Sequence, residues 1–340
     1  MPAEANLTPR AAERVARETA LQSFDNAARS LRLDWDLASL DGKQVQRWGE
    51  ALGSALTRRR DREVQRHHEG VRPQPPANPP QLLVIGMDGG RYQSRQLDPD
   101  TQSRWREDKV LTVSSYLPGD GADGKPRLLV STHVATARDA HAFGQMAAVE
   151  ADRRGYRTAA VAIGMGDGGN WIDPAFDRHF RLDARIIDWG HASEHLWDCA
   201  KAVHGPQTPQ AAMAAERLEA LLWDGRNDEV IAGLRADSRG LGPPRDDDPP
   251  QHPRRVLHQN VGYFTRHKGH MNYPEFRRRG WPIGSGVTEA GVKQFNKRVK
   301  GTEQFWTGEG VESVLSLRGT WLSQDERWER HWANRPAYVN

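Results

Sequence analysis

The stretch Trp281–Gly301 reads WPIGSGVTEAGVKQFNKRVKG and carries a well-bounded helix pattern. Pro282 and a Gly-Ser-Gly turn come first, and a long run without proline then ends at Gly301. Ser285 is a favourable residue for the N-cap of a helix, and glycine commonly follows the last residue of one. The sequence therefore predicts a helix that begins after Ser285 and ends at Gly301.

Polar side chains recur along this predicted helix at spacings of four, three and four residues. They are Glu289, Lys293, Asn296 and Lys300. Such spacing stacks side chains along one helical face. A face of this kind suits a helix that holds a metal ion at its start and a polyanion along its length. A solvated basic face with an incidental acid explains the same pattern.

Composition limits the classes of protein that the chain can belong to. Its 340 residues allow one large domain or two ordinary ones. With 37% hydrophobic and 27% charged residues and no long apolar run, we expect a soluble protein without a membrane span. The only cysteine, Cys199, excludes disulfides within the chain and cysteine-based zinc fingers. A net charge of +3 permits an acidic partner such as nucleic acid without demanding one.

The N-terminus, MPAEANLTPRAAERVARET (1–19), has no apolar signal core, so we predict a cytoplasmic protein. Residues 1–70 form a predicted helical region whose candidate roles are DNA binding and oligomerisation. One helix is predicted over 8–36, with Thr8 as N-cap, and a second over 42–67. The segment 71–80 contains five prolines, which predicts a stiff linker and a domain boundary.

An α/β pattern follows the linker over residues 81–190. Apolar runs predict five strands, at 82–87, 110–117, 127–136, 157–165 and 184–189. A helix is predicted at 138–154, between the third and fourth strands, and a turn at 118–125. Strands joined in this way form a mixed sheet flanked by helices.

The rest of the chain is predicted to be helical. No strand pattern occurs between the fifth strand and Glu289, so residues 191–272 form a predicted all-α insertion. Residues 273–322 return to the core as C-terminal helices, and residues 323–340 form a tail.

Three acids stand where these elements are expected to meet. Asp88 and Asp167 each follow a predicted buried strand and precede two glycines, and Glu289 lies in the first turn of the predicted helix. Ligands of open α/β sheets bind at strand ends. Three carboxylates can hold two divalent cations, an arrangement that supports phosphodiester cleavage. Each aspartate taken alone is more typical of a turn or a helix cap than of a metal site.

Five segments in this order resemble the DDE transposases of bacterial insertion sequences, in particular the Kra-type group. The segments are MDGG (87–90), GDGGNWI (166–172), DWGHASEHLW (188–197), YPEFRRRGWPIGSGVTEAGVKQFNKRVKG (273–301) and WTGEGVESVLSLRG (306–319). The resemblance covers roughly residues 82–318. It implies an RNase H-like fold in which the five-stranded sheet carries a helical insertion before the glutamate-bearing helix.

The resemblance also implies a function. Asp88, Asp167 and Glu289 would be the catalytic, metal-binding triad, with two Mg²⁺ ions as cofactor and Mn²⁺ as a substitute. The reaction would be phosphodiester hydrolysis and strand transfer at transposon ends. Such enzymes act as homodimers or higher assemblies on DNA.

Basic residues near the triad are the predicted DNA contacts. Lys293, Lys297, Arg298 and Lys300 follow Glu289 on the same helix, and such contacts supply affinity without sequence choice. His191 completes a D-x-x-H pattern that some DDE families carry after the second acid. It would orient DNA or a neighbouring carboxylate, although a hydrogen-bonded histidine at a helix start fits equally well.

Two other functions stay open at this point. His191, Glu194 and His195 form the pattern H-x-x-E-H of inverted zinc peptidases, which leaves the aspartates unexplained. The first 70 residues contain no cysteine pair and no clear helix-turn-helix signature. A non-catalytic DNA-binding descendant of a transposase is therefore the main alternative.

Overall fold

The structure, a computed structural model, describes residues 7–119, 124–301 and 304–334. Parts of the predicted turn (120–123) and of the predicted tail (335–340) lie outside the described residues. The strands are β1 Leu82–Ser94, β2 Trp105–Leu117, β3 Arg127–Thr136, β4 Val161–Gly166, β5 Ala184–Ile187 and β6 Phe305–Trp306.

The helices lie before, between and after these strands. Those that precede β1 or lie among the first five strands are α1 Pro9–Leu21, α2 Phe24–Trp35, α3 Gly42–His68, α4 Ala140–Arg153 and α5 Ile172–His179. After β5 come α6 Trp189–His204, α7 Pro209–Trp223, α8 Asn227–Leu241, α9 Pro253–His267, a 3-10 helix Lys268–His270, and α10 Tyr273–Arg278. The last are α11 Gly286–Val299, α12 Gly308–Leu322 and α13 Arg327–Ala333.

The strands form one mixed sheet in the order β3-β2-β1-β4-β5, with β6 added beside β1. β1 runs antiparallel to β2, and β2 runs antiparallel to β3. β4 lies parallel to β1, and β5 lies parallel to β4. This order and these directions are those of the RNase H-like fold, so the predicted fold class is confirmed. The segment 191–272, predicted as a helical insertion, contains most of α6, all of α7–α9 and the 3-10 helix, and α10 follows it.

Helices cover both faces of the sheet because consecutive apolar side chains of β1 point alternately to its two faces. Leu83 and Ile85 pack with α4 and α5. Leu82 and Val84 point to the opposite face and pack in a cluster that also contains residues of α6–α10. α11 and α12 lie on this second face, where Phe295 and Leu315 pack with Val110.

Some predicted boundaries were wrong. The single helix at 8–36 is two helices, because Ser23 starts α2 by accepting a hydrogen bond from the Asn26 N–H at 3.3 Å. Strand β1 continues through Asp88 to Ser94, so Asp88 lies in the middle of a strand and not at its end. Helix α5 was not predicted. Thr8 caps α1 as expected, with its side chain accepting from the Ala11 N–H.

The N-terminal helices pack on the C-terminal ones. Thr57 in α3 hydrogen bonds with Ser316 in α12 at 2.8 Å. Ala28 and Leu31 of α2 are buried within the chain in a cluster with Leu317 and Trp328. The division of the chain into domains stays a prediction. Of the helices that the structure describes, none combines the length and apolarity that a membrane crossing requires.

Candidate active site

Asp88 faces helix α11 because of the alternation along β1. Gly86, two residues earlier, lies directly under that helix, and a Cβ atom there would overlap Thr288 Oγ1. Thr288 is fixed by a 2.7 Å hydrogen bond to Thr112 of β2. Side chains two residues apart on a strand share a face. The half-buried Asp88 carboxylate therefore points to the side of the sheet from which Glu289 approaches.

Asp167 leaves the neighbouring strand beside Asp88. Gly86 pairs with Met165 in the parallel register of β1 and β4, and Asp167 lies two residues beyond Met165. Its Oδ1 accepts a hydrogen bond from the Gly169 N–H at 2.8 Å, and its backbone carbonyl accepts one from the Tyr263 hydroxyl at 2.9 Å. These two bonds fix the loop after β4. The position of Asp167 therefore depends on its local turn with Gly169 and on Tyr263 of the helical insertion.

Glu289 lies in the first turn of α11, as predicted. Its Oε1 accepts from the Ser285 hydroxyl at 3.2 Å, and Lys293 Nζ lies 3.3 Å from its Oε2. Ser285 is the N-cap residue of α11, as predicted. Its side chain, however, makes no hydrogen bond to the backbone of the helix. α11 ends at Val299, with Lys300 at the C-cap position before Gly301.

Asp188 holds the start of α11 against the sheet, which the sequence did not reveal. This carboxylate is 1% exposed and lies at the end of β5. Its Oδ1 accepts from the His191 N–H at 2.8 Å, and its Oδ2 accepts from the Ser285 N–H. One buried side chain thus joins the starts of α6 and α11, and Glu289 lies one turn beyond this junction.

The three predicted acids share one electrostatic environment. Burial, together with the negative charges of Asp167 and Glu289, raises the pKa of Asp88 to about 6, although the Gly89 N–H and His191 act in the opposite direction. Within the part of the chain that the structure describes, the three carboxylates do not form a group whose ligand atoms all lie within 4.8 Å of one another. A pair of ions about 3.5–4 Å apart spreads its ligands more widely than a single ion does.

A fourth acid, Asp108, was missed because its segment reads as a charged loop. It lies in β2 opposite Gly90 of β1 and is fully buried. Among the described residues neither of its carboxylate oxygens has a hydrogen-bond partner. Burial raises the pKa of Asp108 to about 7, with Glu107 and Asp88 also raising it. The acidic face of the sheet therefore contains a carboxyl group that keeps its proton to a higher pH than an ordinary aspartate does.

The basic residues of α11 divide into two groups. Lys293, Lys297 and Lys300 are exposed. Arg298 is 1% exposed, its guanidinium lies 4.8 Å from the ring centre of Phe24, and its Nε donates to a backbone carbonyl of α1. The prediction that Arg298 contacts DNA is therefore wrong, because this side chain is part of the core.

Two exposed aromatic rings have cations beside them, one of which is Lys300. Trp105 and Phe305 are both more than two-fifths exposed. Lys300 Nζ lies 5.9 Å from the Trp105 ring, and the Arg104 guanidinium lies 5.4 Å from the Phe305 ring. Cations and aromatic faces in this combination are typical of surfaces that bind single-stranded nucleic acid.

The residues of the peptidase pattern do not form a metal site. His191 Nδ1 lies 3.5 Å from Glu194, but the ring of His195 packs at 4.2 Å on Tyr263. Among the described residues the three side chains do not form a group with ligand atoms within 4.8 Å of one another. The side chain of His191 is half-buried, and its charge lowers the pKa of Asp88.

No family model and no curated protein sequence matches this chain. Among solved structures, the Drosophila P element transposase strand transfer complex is similar over 95% of this chain and 94% of that chain, at 7% sequence identity and a TM-score of 0.40. Similarity at this level does not identify the function of the chain.

Proposed function

We propose that this chain is a DDE transposase of the bacterial insertion-sequence type, which cuts and joins DNA at transposon ends with Asp88, Asp167 and Glu289. The observation that carries the proposal is the position of Asp88 in β1 and of Asp167 directly after the neighbouring strand β4, below a helix that presents Glu289 in its first turn. The resemblance of five sequence segments to DDE transposases implies the same three residues.

The donor set fits magnesium. All three side chains offer carboxylate oxygens, the ligands that Mg²⁺ prefers, and Mn²⁺ accepts the same set. The pKa of Asp88, raised to about 6 by burial and by two neighbouring acids, indicates negative charge that a cation would balance. Two Mg²⁺ ions held by these residues would supply an activated oxygen nucleophile and stabilise the leaving oxygen.

Residues outside the triad have separate tasks in this proposal. The exposed Lys293, Lys297 and Lys300 hold the phosphate backbone beside the acids. Trp105 and Phe305 offer ring faces on which unpaired bases can stack. Asp188 is a positioning residue, because it fixes the start of the helix that carries Glu289.

A plasmid-nicking experiment tests the proposal. The substrate is supercoiled DNA that contains the sequences flanking the gene, incubated with the protein in Mg²⁺ or Mn²⁺. We expect Asp167→Asn to lower the cleavage rate by about 10³-fold or more, because several kcal/mol of charge stabilisation is lost. DNA binding by this variant should stay unchanged, and the exposed Asp198→Asn is the matched control.

The outcomes separate the remaining candidate functions. Cleavage that survives in Asp167→Asn contradicts the proposed triad. Salt-dependent DNA binding by the wild-type chain without cleavage in either ion identifies the non-catalytic alternative.

We further propose that two or more copies act together on paired DNA ends in the cytoplasm, at the nucleoid. Light scattering of the DNA complex should give the mass of at least two chains. A monomer bound to DNA contradicts this part of the proposal.

A further inference from the structure

A second group of ligands lies under the loop that carries Asp167. The side chains of Asp173, His267 and His270 each place one ligand atom within 4.8 Å of the other two. Among the residues that the structure describes, no other three or more His, Cys, Asp or Glu side chains converge in this way. Asp173 is in the first turn of α5, His267 ends α9, and His270 ends the 3-10 helix that follows. None of these residues belongs to the proposed DNA-cutting triad.

Local structure explains why the two histidines converge. The sequence His-Lys-Gly-His places them three residues apart, across the start of the 3-10 helix Lys268–His270. Side chains at positions i and i+3 eclipse one another in a 3-10 helix. The ring centres of His267 and His270 accordingly lie 6.0 Å apart, both facing α5.

The imidazoles lack the hydrogen bonds that buried nitrogens normally make. His267 is 1% exposed, and among the described residues neither of its ring nitrogens has a hydrogen-bond partner. Nδ1 of His270 is also buried without one. His267 Nδ1 lies 3.6 Å from Asp173 Oδ2, which is too long for a hydrogen bond. Leaving such groups unpaired costs about 1–3 kcal/mol each, so their convergence calls for a partner.

We propose that Asp173, His267 and His270 bind one divalent transition-metal ion, with zinc as the best fit and water as the fourth ligand. Two imidazoles and one carboxylate suit zinc, whereas magnesium prefers oxygen ligands alone. Metal–ligand bonds of about 2.0–2.2 Å would give one nitrogen of each imidazole a partner. Arg185 Nη1 lies 3.7 Å from the other oxygen of Asp173, Oδ1, so Oδ2 stays directed at His267.

The position of this site gives it a structural role. A Cβ atom at Gly168, whose φ of +82° already favours glycine, would lie 2.9 Å from His267 Nε2. Tyr263, one turn before His267, donates to the carbonyl of Asp167. An ion bound here would fasten α5 and the end of α9 to each other beneath the Asp167 loop. The site would thus act as a clamp between α5 and the helical insertion.

Zinc stoichiometry and affinity test the proposal on the full-length chain. The protein is stripped with a chelator, dialysed against ZnCl₂ and analysed for bound metal, and Co²⁺ substitution reports tetrahedral coordination by its visible absorption. We expect one zinc per chain. Loss of a residue that only supports a metal ligand typically weakens metal binding by about 10–100-fold. His270→Gln and Asp173→Asn each remove a ligand, so they should weaken zinc binding by more than this. Asp173→Asn keeps the shape of its side chain, so a failure of His270→Gln to fold leaves the test intact.

Three controls make the result specific. His258→Gln removes an exposed histidine from the same helix, and His195→Ala removes a histidine of the H-x-x-E-H pattern. Asp167→Asn removes the proposed catalytic acid. All three should keep one zinc, which separates this site from the proposed function. A wild-type chain without stoichiometric zinc, or full zinc affinity in both His270→Gln and Asp173→Asn, overturns the proposal.

Discussion

The acidic site and the histidine cluster meet at the same loop, Gly166–Gly169, but differ in access and chemistry. Asp88, Asp167 and Glu289 are half-buried beside exposed lysines, so a long anionic substrate can reach them. His267 is 1% exposed and lies between helices. Oxygen ligands beside solvent suit a hard ion that exchanges water and substrate, whereas enclosed nitrogen ligands suit an ion that stays bound. Solvent access to the ligands, as well as their chemical type, therefore distinguishes the acidic site, a candidate reaction centre, from the histidine cluster, a candidate structural metal site.

Among the single substitutions that distinguish the two regions, Asp188→Ala is expected to change the stability of the fold the most. This substitution removes a buried acceptor from the Ser285 and His191 N–H groups. We expect a loss of about 2–4 kcal/mol in the free energy of unfolding, because buried donors are left unpaired. Urea denaturation gives the value. The exposed helix cap Asp139→Ala is the control, with a cost of about 1 kcal/mol.

Asp188→Ala should also lower cleavage at temperatures where the chain stays folded, because the start of α11 is released near Glu289. Zinc binding should persist, since Asp188 does not belong to the histidine cluster. A cost no larger than that of the Asp139 control would remove Asp188 from its proposed positioning role.

The next effect is a gain in stability from Asp108→Asn. Burial raises the pKa of Asp108 to about 7 from its ordinary value of 3.8, so the folded state binds this proton more tightly than the unfolded state. The wild-type chain therefore loses stability from this group as the pH rises from about 4 to about 7. We expect Asp108→Asn to be more stable by about 2 kcal/mol at pH 8, since one pKa unit corresponds to about 1.36 kcal/mol and the amide remains buried.

The pH dependence provides the check on this prediction. Urea denaturation in a chelating buffer should give nearly equal stabilities for the two proteins at pH 4. An advantage of the variant that does not change between pH 4 and pH 8 would show that ionisation of Asp108 is not the cause.

The smallest effect concerns the exposed lysines. Lys297→Ala and Lys300→Ala should each lower the dependence of log K on log salt by about 0.9, because one phosphate contact is lost. Binding to a short duplex measured at several salt concentrations gives the slope. Lys43→Ala, an exposed lysine at the start of α3, should leave the slope unchanged. Equal slopes for all variants would place the DNA elsewhere on the chain.

Local patterns predicted much of this arrangement. The buried run 82–87, the glycine-flanked Asp167 and the helix that carries Glu289 can be predicted from neighbouring residues, because strand and helix signals are local. The same signals misplaced Asp88 at a strand end, since two glycines usually interrupt a strand. In the structure β1 continues through them, paired with β2 as far as Gln93.

Other features depend on contacts between distant segments. Arg298 looks like a surface cation in the sequence, yet it packs against Phe24 from the N-terminal helices. Asp173 and His267 come together only because α9 of the insertion returns to α5. Asp188 looked like part of a D-x-x-H pattern, and its bond to the Ser285 N–H depends on the position of α11. No spacing rule within one segment reveals such pairs.

Anomalous diffraction from crystals soaked in MnCl₂ tests the central claim most directly, because it locates the ions. The account predicts two manganese peaks about 3.5–4 Å apart among the carboxylates of Asp88, Asp167 and Glu289. It also predicts that both peaks disappear in Asp167→Asn crystals. Full manganese saturation with no peak at these carboxylates would contradict the assignment of a metal-dependent DNA-cutting site.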